Sequence, residues 1–392
     1  MINYRETNLS ISIKYITVFI LNFLVLSSAL GQEITPKYFY TGKLSQCILK
    51  YGLEDISISN SIVMNNVREV IGFDWRQYHS ENSNSLTVKH DLISKSIMNL
   101  NSSMHNAVVK NNLEEIKIGV DLLYQIAEKN TLLNTSTVND NKIKGSKCYR
   151  GNFNNKSKCR THESQYAMIF ASHYIISAIY VKENIKVSQF QIIDDYIKKI
   201  YFNYIKLWTN QNHKYGFNEM GNGAIGSISY ANWINDRDLG LSVFKNSFNQ
   251  IDRLFLDDGY INNNSFRGVR AIFYHSLGLN SALGLIALSN AWDIDVPEKI
   301  LNKIKKSAEI LNLGLTDYKK FKSRQFFGYK ANSSLNPKYI RKNTHPNAIS
   351  IDFLMSKYLD VNLTNDYEWF KSKQKNHNDL IIGFDANCLF LN

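Results

Sequence analysis

The sequence lacks the patterns that indicate a β-sheet, a metal site or a nucleic-acid-binding protein. Alternating apolar and polar residues, which are typical of half-buried strands, are nearly absent from its 392 residues. It has no CxxC motif and no tight Cys/His cluster, so we expect no metal and no cofactor. It also has no recognisable nucleic-acid-binding motif and no short internal repeat. These absences favour a helical globular protein.

The composition favours a globular protein with an acidic partner. Hydrophobic residues make up 44% and charged residues 20%, which is typical of a globular chain long enough for a large core. The formal net charge is +12, and a basic surface attracts polyanions. Aromatic residues reach 12%, and their rings either stack on sugars or fill the core. An acidic polysaccharide fits this charge, whereas the absence of a nucleic-acid-binding motif argues against a nucleic acid.

The amino-terminal segment resembles an export signal. Two basic residues, Arg5 and Lys14, precede the short apolar run Tyr15–Leu26, and small residues follow at Ala29 and Gly31. The sequence therefore predicts a signal peptide at 1–31, cleaved after Gly31, and a single mature domain at 32–392. An uncleaved anchor is the alternative. We expect the mature protein to be periplasmic or secreted, monomeric, and free of the membrane.

Four cysteines remain after this cleavage, an even number in an oxidising compartment, and two disulfides are expected. Cys148 with Cys159 closes a short polar segment and is the preferred pair. Cys47 with Cys388 then joins the two ends of the domain. The other two pairings remain open.

Helical periodicity dominates from about residue 90 onwards and predicts about nine to eleven helices. The clearest segments are about 90–104, Leu113–Glu128, Glu163–Lys182, Ser188–Trp208, Ala224–Ile234, Leu239–Phe255, Gly268–Trp292, Lys299–Leu313 and Asn347–Leu359. Thr209–Gly223 is predicted to be a polar connection. The fold class is therefore all-α, either an irregular bundle or an (α/α) toroid of helical hairpins.

The stretch Ser265–His275 carries the densest set of chemical groups. Arg267, Arg270 and Tyr274 fall on one face if the segment is a helix, just before the apolar run Leu277–Ala291. Two guanidinium groups beside a phenol form an anion site and stabilise a phenolate. His275 lies off that face, and we expect it to hydrogen-bond within the core.

A second candidate is the aromatic and basic segment at residues 72–79. Trp75, Arg76 and Tyr78 are expected to bind substrate from a loop, with the rings stacking on sugars. The alternative is a solvated loop with one ring turned inward.

The first of these stretches resembles the alginate lyases of polysaccharide lyase family 5. The family motif Arg-x-x-Arg-Ala-x-x-Tyr-His reads here from Arg267 to His275, and the similarity covers about residues 230–292. The resemblance implies an (α/α) toroid with a deep cleft that cleaves an acidic glycan by β-elimination. It also implies that Tyr274 is the catalytic base and acid and that Arg267 supports it and the substrate carboxylate. Arg270 is expected to bind substrate, and the alternative is a structural ion pair with Asp257 or Asp258.

The family's Asn-Asn-His-x-x-Trp motif has two possible counterparts. Asn212 and His213 match by residue type and are preferred as catalytic residues. An alignment without a gap reaches Asn218 and Glu219 instead, which keeps the amide, as a substrate-binding group, but replaces the imidazole by a carboxylate.

β-Elimination explains why such residues would be needed. The C5 proton of a uronate lies next to a carboxylate and is poorly acidic, so arginine, neutral histidine and amide groups must neutralise that carboxylate. One tyrosine serves as base and acid for mannuronate, because both atoms lie on the same side of the ring. The sequence therefore predicts an alginate lyase. The alternatives are a non-catalytic polysaccharide-binding or scaffold protein on the same fold, and a glycoside hydrolase, for which no carboxylate pair stands out.

Overall fold

Helices form nearly all of the chain that can be described. The computed structural model describes residues 57–73, 85–133, 158–209, 216–267, 270–317, 320–321, 347–363, 378–379 and 381–385. The predicted signal peptide lies outside these residues, as do Cys47, Cys148, Cys388 and the side chain of Cys159. The predicted disulfides and cleavage site therefore stay predictions.

Eleven α-helices occur within the described ranges. They are α1 Ser61–Val70, α2 Ser85–Val109, α3 Leu113–Glu128, α4 Lys158–Tyr180, α5 Val187–Ile200, α6 Lys206–Thr209, α7 Phe217–Trp233, α8 Arg237–Leu254, α9 Ala271–Ala291, α10 Glu298–Thr316 and α11 Ala348–Leu359. A 3₁₀ turn at Lys182–Asn184 precedes α5, and a π turn at Tyr201–Ile205 follows it. The short strands β1 Asn378–Asp379 and β2 Phe384–Asp385 pair antiparallel.

The helices form two layers that alternate along the chain. Helices α2, α4, α7, α9 and α11 contact one another in succession and form the inner layer. Helices α3, α5, α8 and α10 pack outside them, with α3 against α5 and α8 against α10. Inner helices such as α7 and α9 are buried on nearly every side, whereas α8 and α10 bury one stripe. This is the (α/α) toroid that the resemblance implies.

Helix α9 is the most apolar of the inner helices. Within the described residues it alone is long and apolar enough to cross a membrane, with a mean hydropathy of 1.4 over an 18-residue window. However, 83% of that window is buried inside the protein. The helix therefore buries its apolar surface against α7, α10 and α11, as a core helix does.

Helix α7 begins earlier than its sequence pattern predicts. The pattern indicates a polar connection up to Gly223, but the helix starts at Phe217. Its glycines are weak helix formers, yet they allow neighbouring helices to approach closely. A Cβ atom on Gly221 would lie 2.5 Å from the Cβ of Ser281 on α9. Tertiary packing thus extends the helix, which places Asn218 and Glu219 in its first turn.

The other boundaries differ less. Helix α3 matches its prediction, and α8, α10 and α11 agree to within a few residues. The predicted helix Ser188–Trp208 is instead divided by the π turn. Helix α9 begins at Ala271 rather than Gly268, so Arg267 does not lie on the same helix as Tyr274.

Candidate functional site

Arg267 reaches Tyr274 from a loop and not from the preceding helical turn. The loop runs from Ile261 to Arg267 and contains Asn263 in a left-handed conformation, at φ 63°. The Nε atom of Arg267 donates to the carbonyl oxygen of Asn263 at 2.7 Å. The guanidinium carbon lies 4.3 Å from the centroid of the Tyr274 ring. The expected pairing of arginine and phenol is present, but the shared helix face was wrong because α9 starts after the arginine.

Asn264 connects this loop to the start of α7 and to α9. Its side chain is fully buried. Its Oδ1 atom accepts from the backbone N–H of Phe217 at 2.6 Å. Its Nδ2 atom donates to Oδ1 of Asn218 at 2.9 Å and to the carbonyl oxygen of Tyr274 at 2.7 Å. One amide therefore holds the first turns of two inner helices together.

Asn218 and Glu219 are both buried in the first turn of α7. The Asn218 side chain is one of the groups that favour the ionised form of the Glu219 carboxyl group and so oppose a rise in its pKa. Burial raises the pKa of Glu219, and the positive charge of Arg267 opposes that rise. Its Oε2 atom is buried and makes no hydrogen bond to the described residues. The carboxyl group is therefore an acid for which ionisation is costly.

Five residues around these contacts are here called the polar cluster. It comprises Asn218, Glu219, Asn264, Arg267 and Tyr274. The Arg267 guanidinium group contacts the Tyr274 ring, and its charge acts on the Glu219 carboxyl group. Asn264 hydrogen-bonds to Asn218 and to the Tyr274 carbonyl oxygen. The polar cluster combines a fixed cation, a phenol, amide groups and a buried acid, so it can bind an anion beside a proton-transfer group.

His275 supports the cluster from the core. It is fully buried, and its Nε2 atom lies 2.8 Å from the carbonyl oxygen of Ser307. Because a carbonyl only accepts, Nε2 carries the proton, and Nδ1 accepts from the hydroxyl of Ser265 at 2.8 Å. The same hydroxyl accepts from the N–H of Ile261 at 2.7 Å. Burial lowers the pKa of His275 to about 4, so the ring is neutral near pH 7.

Of the other predicted site residues, one lies within the described structure outside the polar cluster, and the rest lie outside the described residues. Arg270 is exposed at the residue before α9, where its N–H donates to the carbonyl of Arg267 at 3.1 Å. Asn212 and His213 lie outside the described residues, so their catalytic assignment stays a prediction. Trp75, Arg76 and Tyr78 also lie outside them.

Sequence reasoning missed Asn264. This asparagine follows two others in a polar stretch with no periodicity, and nothing local distinguishes it from its neighbours. Its role depends on three contacts with residues distant along the chain or across the loop.

Comparison with solved structures identifies the same architecture in alginate lyases. A tyrosine-to-phenylalanine variant of alginate lyase A1-III, complexed with a tetrasaccharide, superposes with a TM-score of 0.57. The match has 10% sequence identity and covers 92% of this chain and 96% of that one. Alginate lyase A1-III from Sphingomonas species A1 gives a TM-score of 0.55 at 10% identity, over 91% and 96% of the two chains.

These proteins share a fold with this chain. The agreement extends over nearly the whole length of both chains, so it includes the alternating inner and outer helices. No protein-family model and no curated protein sequence matches the chain. The likeness is therefore one of architecture, and the chemistry has to be argued from the polar cluster.

Proposed function

We propose that this protein is an exported polysaccharide lyase that cleaves alginate, preferentially its mannuronate-rich regions, by β-elimination. The observation that carries the proposal is the stacking of Arg267 on Tyr274, 4.3 Å away, within the polar cluster. It occurs on a fold that alginate lyases share. The basic net charge of +12 favours the same polyanionic substrate. Export rests on the amino-terminal sequence pattern alone.

Arg267 is the proposed partner of the uronate carboxylate. Removal of the C5 proton places negative charge on that carboxylate, and a fixed cation stabilises the charge as it develops. The bond to the Asn263 carbonyl orients the guanidinium group before the substrate arrives. Prior orientation matters because the site then needs little reorganisation during the reaction.

Tyr274 is the proposed base and acid. Its ring is in contact with the guanidinium group of Arg267, so the proposed base lies beside the proposed carboxylate-binding cation. The phenolate takes the proton from C5, and the phenol then returns it to the leaving oxygen at C4. The C4–O bond breaks as the C4–C5 double bond forms, so no water enters the product. Asn212 and His213 complete the proposal as further donors to the carboxylate.

The first experiment is incubation with poly-mannuronate. Each cleavage creates an unsaturated end that absorbs in the ultraviolet, and we expect the absorbance to rise with time. Tyr274→Phe removes only the hydroxyl group, so the fold should persist while turnover falls by roughly 10³-fold or more. Tyr124→Phe is the matched control, because that hydroxyl bonds to Glu128 on the outer helix α3. Full turnover by the Tyr274 variant would show that another residue is the base.

One observation favours a second function, polysaccharide binding without cleavage. The buried acid Glu219 occupies the position that a gap-free alignment gives to the histidine of the lyase family. An ionised acid there would weaken the neutralisation of a uronate carboxylate. Retained binding of poly-mannuronate with no absorbance rise at any pH would support this second function and contradict the first.

A further inference from the structure

Strands β1 and β2, with the turn residues 381–383, form a short hairpin that is here called the clasp. It contacts both ends of the inner layer. The hydroxyl of Tyr180 on α4 donates to the carbonyl oxygen of Gly383 at 3.2 Å, and β2 contacts α2. Through Asp379 the clasp also hydrogen-bonds to Asn280 on α9 and to Asn347, which precedes α11. The clasp therefore joins the first two inner helices to the last two.

Gly383 shows how closely the clasp approaches the first two of these helices. Its φ of 79° is a left-handed conformation that favours glycine. A Cβ atom there would lie 3.0 Å from Nδ1 of His173 on α4 and 3.1 Å from Oδ1 of Asn101 on α2. The turn therefore leaves no room for a side chain at this position.

Asp379 makes the contacts with the last two inner helices. Its side chain is only 2% exposed. Its Oδ1 atom accepts from the backbone N–H groups of Ile381 and Ile382 at 2.8 and 3.1 Å. The same atom accepts from the Nδ2 atoms of Asn280 and Asn347 at 3.2 and 3.5 Å. One carboxyl oxygen therefore fixes the turn of the clasp and ties it to α9 and to the start of α11.

The other oxygen of this carboxyl group has no such partner. Oδ2 of Asp379 makes no hydrogen bond to the described residues, and neither does Oδ1 of Asn280. Both atoms are buried, and two buried acceptors without a donor are costly. They belong to two groups that one hydrogen bond, from Asn280 to Asp379, already joins. A proton on Oδ2 would satisfy both atoms, because a carboxylic acid can donate to an amide oxygen while it accepts from the amide N–H.

We propose that Asp379 is a neutral acid that donates from Oδ2 to Oδ1 of Asn280, and that this shared proton fastens the clasp to the end of the inner layer. Loss of the proton removes one of the bonds that hold the clasp, so the clasp should open more often as pH rises. Burial raises the pKa of Asp379 from 3.8 to about 6, and Ser350 of α11 is among the groups that oppose this rise. The change should therefore occur between about pH 5 and about pH 7.

Other titratable groups lie near the clasp on the side of α2 and α4. The groups that reach Asp379 from α9 and α11 are amides and a hydroxyl, which carry no charge. From α4, His173 lies beside Gly383. From α2, the ring of His105 lies 5.4 Å from the ring of Tyr180, and burial lowers the pKa of His105 to about 4, so it stays neutral in this interval. Among the described residues, His173 is therefore the rival source of a pH effect on the clasp.

The test is amide hydrogen exchange of the clasp between about pH 5 and about pH 7, corrected for the intrinsic effect of pH on exchange. The amides of Ile381 and Ile382 report its opening, because both bond to Asp379. In the wild type we expect their protection to fall roughly tenfold over this interval, since the folded state alone holds the proton there. The infrared difference between the wild type and Asp379→Asn should show the carbonyl band of a protonated carboxyl group at the lower pH and little of it at the higher pH.

Asp379→Asn keeps both hydrogen bonds, because its amide N–H donates where the acid O–H did, but it cannot titrate. Protection of the two amides should then be independent of pH. Asp352→Asn is the matched control, since Asp352 on α11 also accepts from a backbone N–H, that of Leu363 at 3.2 Å, but lies outside the clasp. In that variant the tenfold change should remain. Thermal unfolding checks that both variants are folded.

Each other outcome counts against the inference. Constant protection in the wild type, or no acid carbonyl band at the lower pH, overturns it and indicates an ionised Asp379. A pH dependence that survives Asp379→Asn overturns it as well and assigns the effect to His173. Loss of the dependence in Asp352→Asn would show that the clasp follows a change elsewhere in the protein. No measurement here uses an oligouronate, so the inference stands or fails independently of the proposed lyase function.

Discussion

At the scale of single residues, Gly216 is the position with the least room beside the polar cluster. It precedes α7 with an ordinary φ of −73°, so its importance lies in space and not in backbone conformation. A Cβ atom there would lie 2.5 Å from Oδ1 of Asn218 and 2.6 Å from Oδ1 of Asn264. Both distances are shorter than real contacts, so the two amides would have to move.

Gly216→Ala should therefore reduce activity more than stability. We expect kcat/KM on poly-mannuronate to fall by roughly 10- to 100-fold, since small displacements of positioning groups have effects of that order. The accompanying loss in the free energy of unfolding should be about 1–3 kcal/mol. Steady-state kinetics and urea unfolding measure the two quantities.

Gly284→Ala is the control for Gly216→Ala. A Cβ atom there would first meet Cδ1 of Ile225 and Cγ1 of Ile382, at 3.2 and 3.4 Å, so the contacts are less close than at Gly216 and involve only apolar groups. It should be close to wild type in kcat/KM. Equal activity of the two variants would show that the polar cluster tolerates displacement.

At the scale of elements, the loop from Ile261 to Arg267 determines where the cation lies. Its fixed point is the Ser265 hydroxyl, which accepts from Ile261 and donates to His275. The histidine in turn bonds to Ser307 on α10. One inner and one outer helix thus position a loop that has no regular structure of its own.

Ser265→Ala should release this loop. The variant leaves a backbone N–H and a ring nitrogen unpaired in the core, at a cost of about 1–3 kcal/mol in the free energy of unfolding. Because Arg267 lies two residues further along, KM for poly-mannuronate should rise as well. Urea unfolding and steady-state kinetics test these expectations.

Ser307→Ala removes the hydroxyl on the other side of the same ring, 3.2 Å from Nε2. The Ser307 carbonyl still accepts the hydrogen bond from the ring N–H, so the loss in the free energy of unfolding should be only about 0.5 kcal/mol. If Ser307→Ala raises KM as much as Ser265→Ala, the loop is not held through the serine hydroxyl.

At the scale of the whole molecule, buried titratable groups give stability two opposite pH dependences. Burial lowers the pKa of both His105 and His275 to about 4, from an unfolded value near 6.5. The folded protein then binds fewer protons than the unfolded chain between these values, so stability falls as pH falls through them. Burial raises the pKa of Asp379 to about 6, and stability is lost as pH rises through that value.

Two variants should separate these contributions when unfolding by urea is compared at pH 7 and pH 4.5. For His275→Gln, lowering the pH from 7 to 4.5 should reduce the free energy of unfolding by roughly 2–3 kcal/mol less than it does for the wild type. For Asp379→Asn, the same change in pH should reduce the free energy of unfolding by roughly 2 kcal/mol more than it does for the wild type, because the wild type gains stability as Asp379 becomes protonated. Each variant serves as the control for the other. Changes of the same sign in both would contradict the assignment.

The relation between sequence and fold is clearest in helices α3 and α7. The period of apolar residues predicted α3 to the residue, because an outer helix buries one stripe and leaves a polar face. The start of α7 was missed because its first turns are rich in glycine and polar residues, a composition that is typical of a connecting loop. In the structure these small residues allow close packing between inner helices. Periodicity failed at the start of α7, where small and polar residues are buried on nearly every side of the helix.

The sequence by itself determined that the chain is helical, that Arg267 and Tyr274 belong together, and that Asn218 with Glu219 was one of two possible partner pairs. Only the tertiary structure decided that the arginine lies on a loop, that Asn264 joins two helices, and that Glu219 is buried in the first turn of α7. The reason is physical. The spacing of residues along the sequence indicates which side chains share one face of a helix. Burial and contacts between charged groups depend on segments that are distant in the chain and meet only when the helices pack.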